Sequence, residues 1–162
     1  MTGPGFFPSQ GRGRPDVLQG LPINEGINRY DPSRGKWVRV SRLSPSELVE
    51  GCNLIYFRNL LCTPCRIFDL KLPDLVASYA CRCAIFMVTC GFYARLCLSR
   101  QARDAFTAFG VREAPTVYVA IASGGRVVRE AYIVGNLSLS EFRSYVLRSF
   151  GIGRCGGRRR GS

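Results

Sequence analysis

Hydrophobic and polar positions between residues 36 and 151 form two kinds of pattern. Runs of branched and aromatic residues bounded by polar ones predict strands, and they lie at 37–40, 53–59, 83–90, 116–122 and 126–134. Apolar positions at helical spacing predict helices from near Cys62 to Tyr79, before Gly110, and over 139–150. The two patterns alternate along the chain, which predicts an α/β domain.

Individual residues mark where the predicted helices begin, bend and end. Capping boxes at 44–47 and 138–141 predict helix starts, the first for a brief helix that stops near Gly51. Pro73 predicts a bend in the helix that follows Cys62, and Gly151 predicts the end of the last helix.

The order of the strands predicts a mixed sheet. The segment 83–90 is apolar throughout, as an interior strand would be, and a right-handed crossover would lay it parallel to 53–59. The turn at 123–125 predicts that 126–134 returns antiparallel. Charges at Arg126, Arg129 and Glu130 suit the edge of the sheet.

The two ends of the chain differ from this central block. Residues 1–35 are rich in Gly and Pro and lack a sustained period, which predicts a flexible arm. Residues 152–162 are rich in Arg and Gly, which predicts a basic tail. Residues 36–151 between them have the length of one domain.

The composition excludes several kinds of catalytic mechanism and bears on the cellular compartment. The chain has 162 residues, a net charge of +12 and no His, so mechanisms that need an imidazole base or ligand are excluded. No apolar run reaches signal-peptide or membrane-span length, which predicts a cytoplasmic protein with no membrane contact. In that compartment a close Cys pair is more often catalytic or metal-binding than a passive crosslink.

Among eight cysteines, Cys62 and Cys65 stand out. A Cys at the first turn of a helix faces unpaired N–H groups and the positive end of the helix dipole, which favour the thiolate that attacks disulfides. Cys62 is therefore the predicted nucleophile, with Arg58 and Arg66 as candidate modulators. Cys65, one turn later, can resolve a mixed disulfide. Pro64 fits the first helical turn, where its missing N–H costs nothing.

Three motifs in this order resemble the thioredoxin family. Residues 61–66 (LCTPCR) resemble the family's Trp-Cys-Gly-Pro-Cys-Lys, 114–116 (APT) its Ile-Pro-Thr, and 134–135 (VG) the Val-Gly that closes its hairpin. The resemblance covers about residues 36–150. It implies a thioredoxin-like α/β fold, with a central mixed β-sheet of four to five strands flanked by helices.

The resemblance also implies a function. It implies a thiol–disulfide oxidoreductase that acts on disulfide-containing protein substrates, without a cofactor or metal, and that receives electrons from a donor like thioredoxin reductase. Pro115 is expected to follow a cis peptide bond, lie against the Cys pair and expose backbone that pairs with substrate. The implied substrate-binding residues are Thr63, Pro64, Ala114, Pro115 and Thr116.

The chain departs from the family near the Cys pair. Family members often bury an acid six residues before the first Cys, where this chain has Tyr56. Leu61 and Arg58 replace two tryptophans, so the rim of the site is expected to be less aromatic and more cationic. Glu113, two residues before Pro115, is a candidate for assisting proton transfer.

Two other functions remain open. Cys62 and Cys65 followed by Cys81 and Cys83 approach a four-Cys zinc spacing, which would make the protein a zinc-stabilised binding module. Alternatively, the Arg-rich tails would make weak contacts to nucleic acid or acidic partners, and the fold would serve as a non-catalytic adaptor.

The remaining six cysteines are expected to have other roles. Small buried side chains are the default for those in the strand and helix after Cys65, with a second disulfide among them left open. Cys52 is expected to pack in the core, and Cys155 to be an accessible thiol in the tail. The four in the strand and helix are Cys81, Cys83, Cys90 and Cys97.

Overall fold

The computed structural model describes residues 21–156, which form six strands and four α-helices. The strands are β1 (Gly26–Asp31), β2 (Lys36–Val40), β3 (Gly51–Asn59), β4 (Cys83–Cys90), β5 (Thr116–Ser123) and β6 (Arg126–Val134). The helices are α1 (Thr63–Asp69), α2 (Leu72–Tyr79), α3 (Arg100–Ala108) and α4 (Leu139–Phe150).

All six strands belong to one sheet, in the order β2-β1-β4-β3-β5-β6. Strands β3 and β4 are parallel, and each of the other neighbouring pairs is antiparallel. The predicted mixed sheet is therefore confirmed, with β6 at its edge. Because β3 lies inside the sheet, neighbouring strands on both sides hold its carboxyl end in place. The chain enters α1 from this end.

The core has two layers, one on each face of the sheet. Leu54 and Tyr56 of β3 face the layer formed with α1, α2 and α4, whereas Ile55 and Phe57 face α3. This alternation follows from the strand period of two residues. It places the Tyr56 side chain on the face of the sheet that α1 covers.

The prediction of a flexible arm is wrong for residues 26–35, because β1 and the turn into β2 lie in this range. Strand β1 pairs with both β2 and β4, and its Ile27 is fully buried. Only Ile27 and Tyr30 are large apolar residues in this strand, too few to reveal a period, and the backbone hydrogen bonds to β4 are invisible in the sequence. The sheet therefore has six strands, one more than expected. Residues 1–20 of the arm lie outside the described residues.

The predicted tail is also partly wrong, because the chain remains attached to the domain as far as Cys155. Ile152 packs against the core, and the Cys155 N–H donates to the Ser78 carbonyl over 2.6 Å. A disulfide joins Cys155 to Cys81, so Cys155 is not an accessible thiol. Residues 157–162 lie outside the described residues.

Two predicted helices are shorter than the sequence suggested. The helix after Cys62 divides into α1 and α2, and Pro73 occupies the first turn of α2. Residues Pro45–Glu47 form a 3-10 turn, in which the Ser44 side chain makes no cap hydrogen bond. Gly51 begins β3 so soon afterwards that no longer helix fits.

Disulfides join the cysteines that were expected to be packed thiols. Cys52 and Cys83 are direct partners in the parallel register of β3 and β4, with Cα atoms 4.5 Å apart, and they form a disulfide. Cys90 and Cys97 form another, which closes the loop after β4. The predicted packing role of Cys52 is therefore incomplete, since its sulfur is covalently bonded.

Within residues 21–156, no helix is both long and apolar enough to cross a bilayer.

Candidate functional site

Cys62 and Cys65 are joined by a disulfide at the start of α1, with Cα atoms 5.3 Å apart. Cys62 is the N-cap of the helix, and its Sγ accepts a hydrogen bond from the Cys65 backbone N–H over 3.2 Å. Cys62 is half-buried, whereas Cys65 is only 1% exposed. The outer sulfur is therefore the one that another molecule can reach.

The local sequence explains this placement. Thr63 and Pro64 form the first helical turn and are exposed, and Pro64 needs no N–H partner there. The N–H that points at Cys62 belongs to a helix end with no internal acceptor. In the reduced protein this donor would favour a thiolate at Cys62.

The predicted loop at Ala114 and Pro115 lies against the pair. The Ala114–Pro115 peptide bond is cis, as the resemblance implied, and the Ala114 carbonyl oxygen is 3.8 Å from the Cys62 Sγ. Thr116, the first residue of β5, is buried, and its Oγ1 donates to the Glu113 carbonyl over 2.7 Å.

Residues after β6 complete this side of the site. The Gly135 N–H donates to the Pro115 carbonyl over 2.9 Å, and the Asn136 amide donates to the Pro64 carbonyl over 3.0 Å. The structure thus brings together the three motifs that the sequence analysis aligned, and Asn136 is an addition that sequence reasoning missed.

The three candidate modulators differ in position. Arg58 is only 4% exposed, and its guanidinium is bonded to Asp69 and to the Thr89 hydroxyl, both over 3.0 Å. Arg66 lies on the exposed side of α1. The Glu113 side chain is exposed and makes no hydrogen bond or ion pair within residues 21–156.

Beneath the Cys pair lies a polar cluster that the sequence analysis missed, formed by Tyr56, Arg58 and Asp69. The Tyr56 hydroxyl is 2.9 Å from Asp69 Oδ1 and 3.1 Å from the Cys65 carbonyl oxygen, and Arg58 pairs with Asp69 Oδ2. Burial raises the pKa of Tyr56, and the charge of Asp69 raises it further. The available signal was the spacing of Asp69 four residues after Cys65, which puts both on one helix face.

The opposite side of the rim is an apolar surface. Leu61 is 67% exposed, and its N–H donates to the Gly91 carbonyl over 3.0 Å, which holds the loop closed by Cys90 and Cys97 beside it. Asn59 also supports this loop, because its Oδ1 accepts from the Tyr93 N–H over 2.8 Å. The exposed apolar side chains of this surface are Leu61, Phe92, Leu96 and Leu98.

The cysteine positions also bear on the zinc alternative. Cys62 and Cys65 follow the carboxyl end of β3, whereas Cys81 and Cys83 lie at the amino end of β4. Because β3 and β4 are parallel, these two pairs are at opposite ends of the sheet. The hypothesis of a zinc site built from these four sulfurs is therefore wrong. Within the described part of the chain, no three or more metal-ligating side chains form a group that could hold an ion.

Comparison with known proteins gives similarity at the level of structure. No protein-family model matches the chain, and no curated protein matches it. Thioredoxin from Aeropyrum pernix is similar with a TM-score of 0.50 and 22% identity, over 77% of this chain and 94% of that one.

Two further thioredoxins resemble the chain more weakly. The one from Trichomonas vaginalis gives a TM-score of 0.46 and 19% identity, over 60% of this chain and 78% of that one. Thioredoxin f2 from Chlamydomonas reinhardtii gives 0.47 and 13%, over 70% and 98%. Taken with the mixed sheet and its flanking helices, the A. pernix match supports one conclusion. The chain has a thioredoxin-like fold that carries the Cys62–Cys65 pair where β3 enters α1.

Proposed function

We propose that this protein is a thiol–disulfide oxidoreductase that exchanges disulfides with protein substrates through Cys62 and Cys65. The observation that carries the proposal is the bonded pair at the start of α1, with an accessible outer sulfur and a buried inner one. Such an asymmetric pair can attack a substrate and then release it. The thioredoxin-like fold supports a redox role in general.

The reaction balances as two sulfur exchanges. In the reduced protein, the Cys62 thiolate attacks one sulfur of a substrate disulfide, and the other substrate sulfur leaves as a thiolate. Cys65 then loses its proton and attacks the Cys62 sulfur, which releases the second substrate thiolate. Two electrons pass to the substrate, and the protein is left with the Cys62–Cys65 disulfide.

The substrate is proposed to lie along the loop that contacts Cys62. The Ala114 carbonyl lies 3.8 Å from the outer sulfur, and Thr63 and Pro64 follow Cys62 in the exposed first turn of α1. Hydrogen bonds at the Pro115 carbonyl and the Thr116 hydroxyl fix the backbone of the loop. An extended substrate segment would pair with this backbone.

The turnover cycle requires a second partner. An external dithiol has to reduce the Cys62–Cys65 disulfide after each cycle, so we propose an electron donor like thioredoxin reductase. Contact with nucleic acid through the Arg-rich tails remains a prediction, because those tails lie largely outside the described residues.

The compartment is also a matter of proposal. The cytoplasmic location remains a prediction. Three disulfides besides the Cys62–Cys65 pair count against a reducing compartment. Such crosslinks persist in oxidising compartments or in the cytosol of hyperthermophiles.

Dithiol-dependent reduction of insulin tests the proposal. We expect the wild-type protein to accelerate reduction, and Cys62→Ser to lower the rate to that of dithiol alone, because Ser cannot form the mixed disulfide. Cys65→Ser should instead accumulate a covalent adduct with substrate, visible by mass spectrometry. Equal rates for wild type and Cys62→Ser would contradict the proposed function.

A matched control removes a pair of cysteines that lies elsewhere. Cys81→Ala with Cys155→Ala deletes a disulfide at the other end of the sheet and should leave the insulin rate unchanged. Loss of rate in this variant would indicate an effect of folding rather than of the Cys62 sulfur.

A further inference from the structure

Among the three disulfides within residues 21–156 that lie outside the candidate site, one is exposed to solvent. Cys81 is exposed, and its partner Cys155 is half-buried. In the other two disulfides every cysteine is at most 9% exposed. Exchange requires a thiolate to reach one of the bonded sulfurs, so Cys81–Cys155 is the disulfide of this group that is open to reaction. The two buried pairs are Cys52–Cys83 and Cys90–Cys97.

The two sulfurs of the exposed disulfide are not equivalent. The Cys155 Sγ accepts a hydrogen bond from the Cys81 backbone N–H over 3.1 Å. Such a donor stabilises a thiolate, and exchange is faster when the departing thiolate is stabilised. The Cys155 N–H itself donates to the Ser78 carbonyl, which holds this residue in place. An attacking thiolate is therefore expected to bond to the exposed Cys81 sulfur and to displace Cys155.

A small cavity adjoins Cys81 at the amino end of β4. Its volume is about 220 Å³, and it is lined by Ala80 and Arg82, the two neighbours of Cys81 in the chain. Pockets for drug-sized ligands are usually larger, about 300–1,000 Å³. The cavity therefore suits part of a small molecule rather than a protein segment.

The charges that line this cavity favour a carboxylate. Among the described residues around it, Arg29 and Arg82 are basic and Glu50 alone is acidic. Glu50 already has a partner, because its Oε2 accepts from the Gly124 N–H over 3.1 Å. The Arg82 side chain is exposed and forms no ion pair within residues 21–156. A guanidinium of this kind pairs readily with a carboxylate.

The side of the disulfide formed by α2 and α4 is also positively charged. Arg154 precedes Cys155 and is exposed, and Arg143 of α4 donates to the Ser78 hydroxyl over 2.7 Å. The carboxylate of α2 belongs to Asp74 in its first turn, seven residues before Cys81 and roughly 10 Å from it at the rise of a helix. Positive charge therefore prevails around the exposed sulfur, which attracts anionic thiols.

We propose that Cys81–Cys155 is a second thiol–disulfide exchange site, which takes low-molecular-weight thiols that carry a carboxylate. The carboxylate lies against Arg82, and the thiolate attacks the Cys81 sulfur. The Cys81–Cys155 bond breaks, and Cys155 leaves with the electron pair as a thiolate. The sulfur of the small thiol is oxidised and that of Cys155 is reduced, so the step needs no other oxidant or reductant. The product is a mixed disulfide at Cys81.

The exchange would remove the covalent attachment of the chain that follows α4. Packing of Ile152 against the core and the hydrogen bond from Cys155 to Ser78 then remain to hold this segment. The site therefore couples a small thiol to the attachment of a basic segment. The arginines of that segment are Arg154, Arg158, Arg159 and Arg160.

Peptide mapping after exchange with charged thiols tests the proposal. The oxidised full chain carrying Cys62→Ser and Cys65→Ser is incubated at low ionic strength with reduced glutathione, which is anionic, or with cysteamine, which is cationic, at equal thiolate concentration. N-ethylmaleimide then alkylates the free thiols, and mass spectrometry locates the adduct and the alkylated cysteine. Because this variant lacks the proposed active site, the result does not depend on the proposed function.

We expect glutathione to attach to Cys81 and N-ethylmaleimide to Cys155, while the two buried disulfides stay intact. Glutathione should open the bond about 10-fold faster than cysteamine, and about 0.5 M salt should remove most of this preference by screening. Arg82→Gln should reduce the preference to about 3-fold. Arg95→Gln is the matched control, because Arg95 is exposed in the loop beyond the other end of β4, and it should keep the full preference.

Each other outcome would overturn the proposal. Cys52 and Cys83 also line the cavity, so an adduct at either of them would place the exchange at the buried bond. Equal rates for the two thiols, or an equal loss of preference in Arg82→Gln and Arg95→Gln, would contradict recognition of a carboxylate at the cavity. Opening that occurs in wild type but not in the variant without Cys62 and Cys65 would show that those cysteines, rather than the small thiol, break the bond.

Discussion

At the scale of single residues, three fully buried tyrosines make stability depend on alkaline pH. Burial raises the pKa of Tyr56, Tyr79 and Tyr118, and the charge of a nearby carboxylate raises that of Tyr56 and Tyr118 further. The unfolded chain ionises its tyrosines near pH 10, whereas the folded chain keeps these three neutral. Unfolding therefore releases protons above pH 10, and the free energy of unfolding falls as pH rises.

Tyr79→Phe isolates one of these contributions. Above pH 10, and below the raised pKa of the folded tyrosine, the variant should lose stability more slowly than wild type by about 1.4 kcal/mol per pH unit. Denaturant unfolding of the oxidised protein measures the slope. Between pH 7 and 9 the tyrosine is neutral in both states, so the two proteins should show parallel curves there. Identical slopes above pH 10 would contradict the argument.

The sequence marked some residues of the candidate site and missed other contacts for a physical reason. Cys62, Cys65 and Pro115 are recognisable because spacing along the chain or a local motif marks them. Asp69 is unremarkable in the sequence, because its contact with Tyr56 joins a helix to a strand. Cys155 was likewise missed, since its partner Cys81 is 74 residues away and Cys-to-Cys pairing is not encoded locally.

At the scale of secondary-structure elements, α4 owes part of its stability to its first turn. The Ser138 hydroxyl accepts from the Glu141 N–H over 3.1 Å, and the Glu141 carboxylate accepts from the Ser138 N–H over 3.0 Å. Val146 and Phe142 bury the inner face of this helix against the sheet. Loss of the cap therefore weakens an element that the core requires.

Ser138→Ala should lower the free energy of unfolding by about 1 kcal/mol, because the Glu141 N–H at the start of the helix loses its side-chain acceptor. Thermal or denaturant unfolding measures the change. Ser140→Ala on the same turn is the control: its side chain is exposed and has no hydrogen bond in the described part of the protein. A loss in the control as large as in Ser138→Ala would show that the cap is not responsible.

Elements with strong local signals could be predicted, and those formed by distant pairing could not. The capping box and Gly151 correctly located α4, and the apolar run of β4 correctly indicated an interior strand. Strand β1 escaped prediction because it has few large apolar residues, and because part of its pairing is with β4, far along the chain. The opposite error occurred at Pro45–Glu47. The local sequence predicted a helix there, but the segment is long enough only for a 3-10 turn.

At the scale of the whole molecule, three disulfides besides the Cys62–Cys65 pair constrain the chain over very different lengths. Cys81–Cys155 spans 74 residues, Cys52–Cys83 spans 31, and Cys90–Cys97 spans 7. A crosslink stabilises a protein mainly by restricting the unfolded chain, more so for longer loops. The three bonds should therefore contribute unequally to stability, in the order of their loop lengths.

Paired Cys→Ala variants test this order. Loss of Cys81–Cys155 should lower the free energy of unfolding by about 4 kcal/mol, and loss of Cys90–Cys97 by about 2 kcal/mol, as denaturant unfolding would measure. A smaller stability loss for the 74-residue loop than for the 7-residue loop would contradict the chain-entropy argument.

The loss of activity should follow the opposite order, larger without Cys90–Cys97 than without Cys81–Cys155. Cys81 precedes the amino end of β4, roughly 20 Å from the end beside the site at the rise of a strand. Cys90–Cys97 instead shapes the loop that contacts Leu61, so its removal should weaken binding of protein substrates and raise KM.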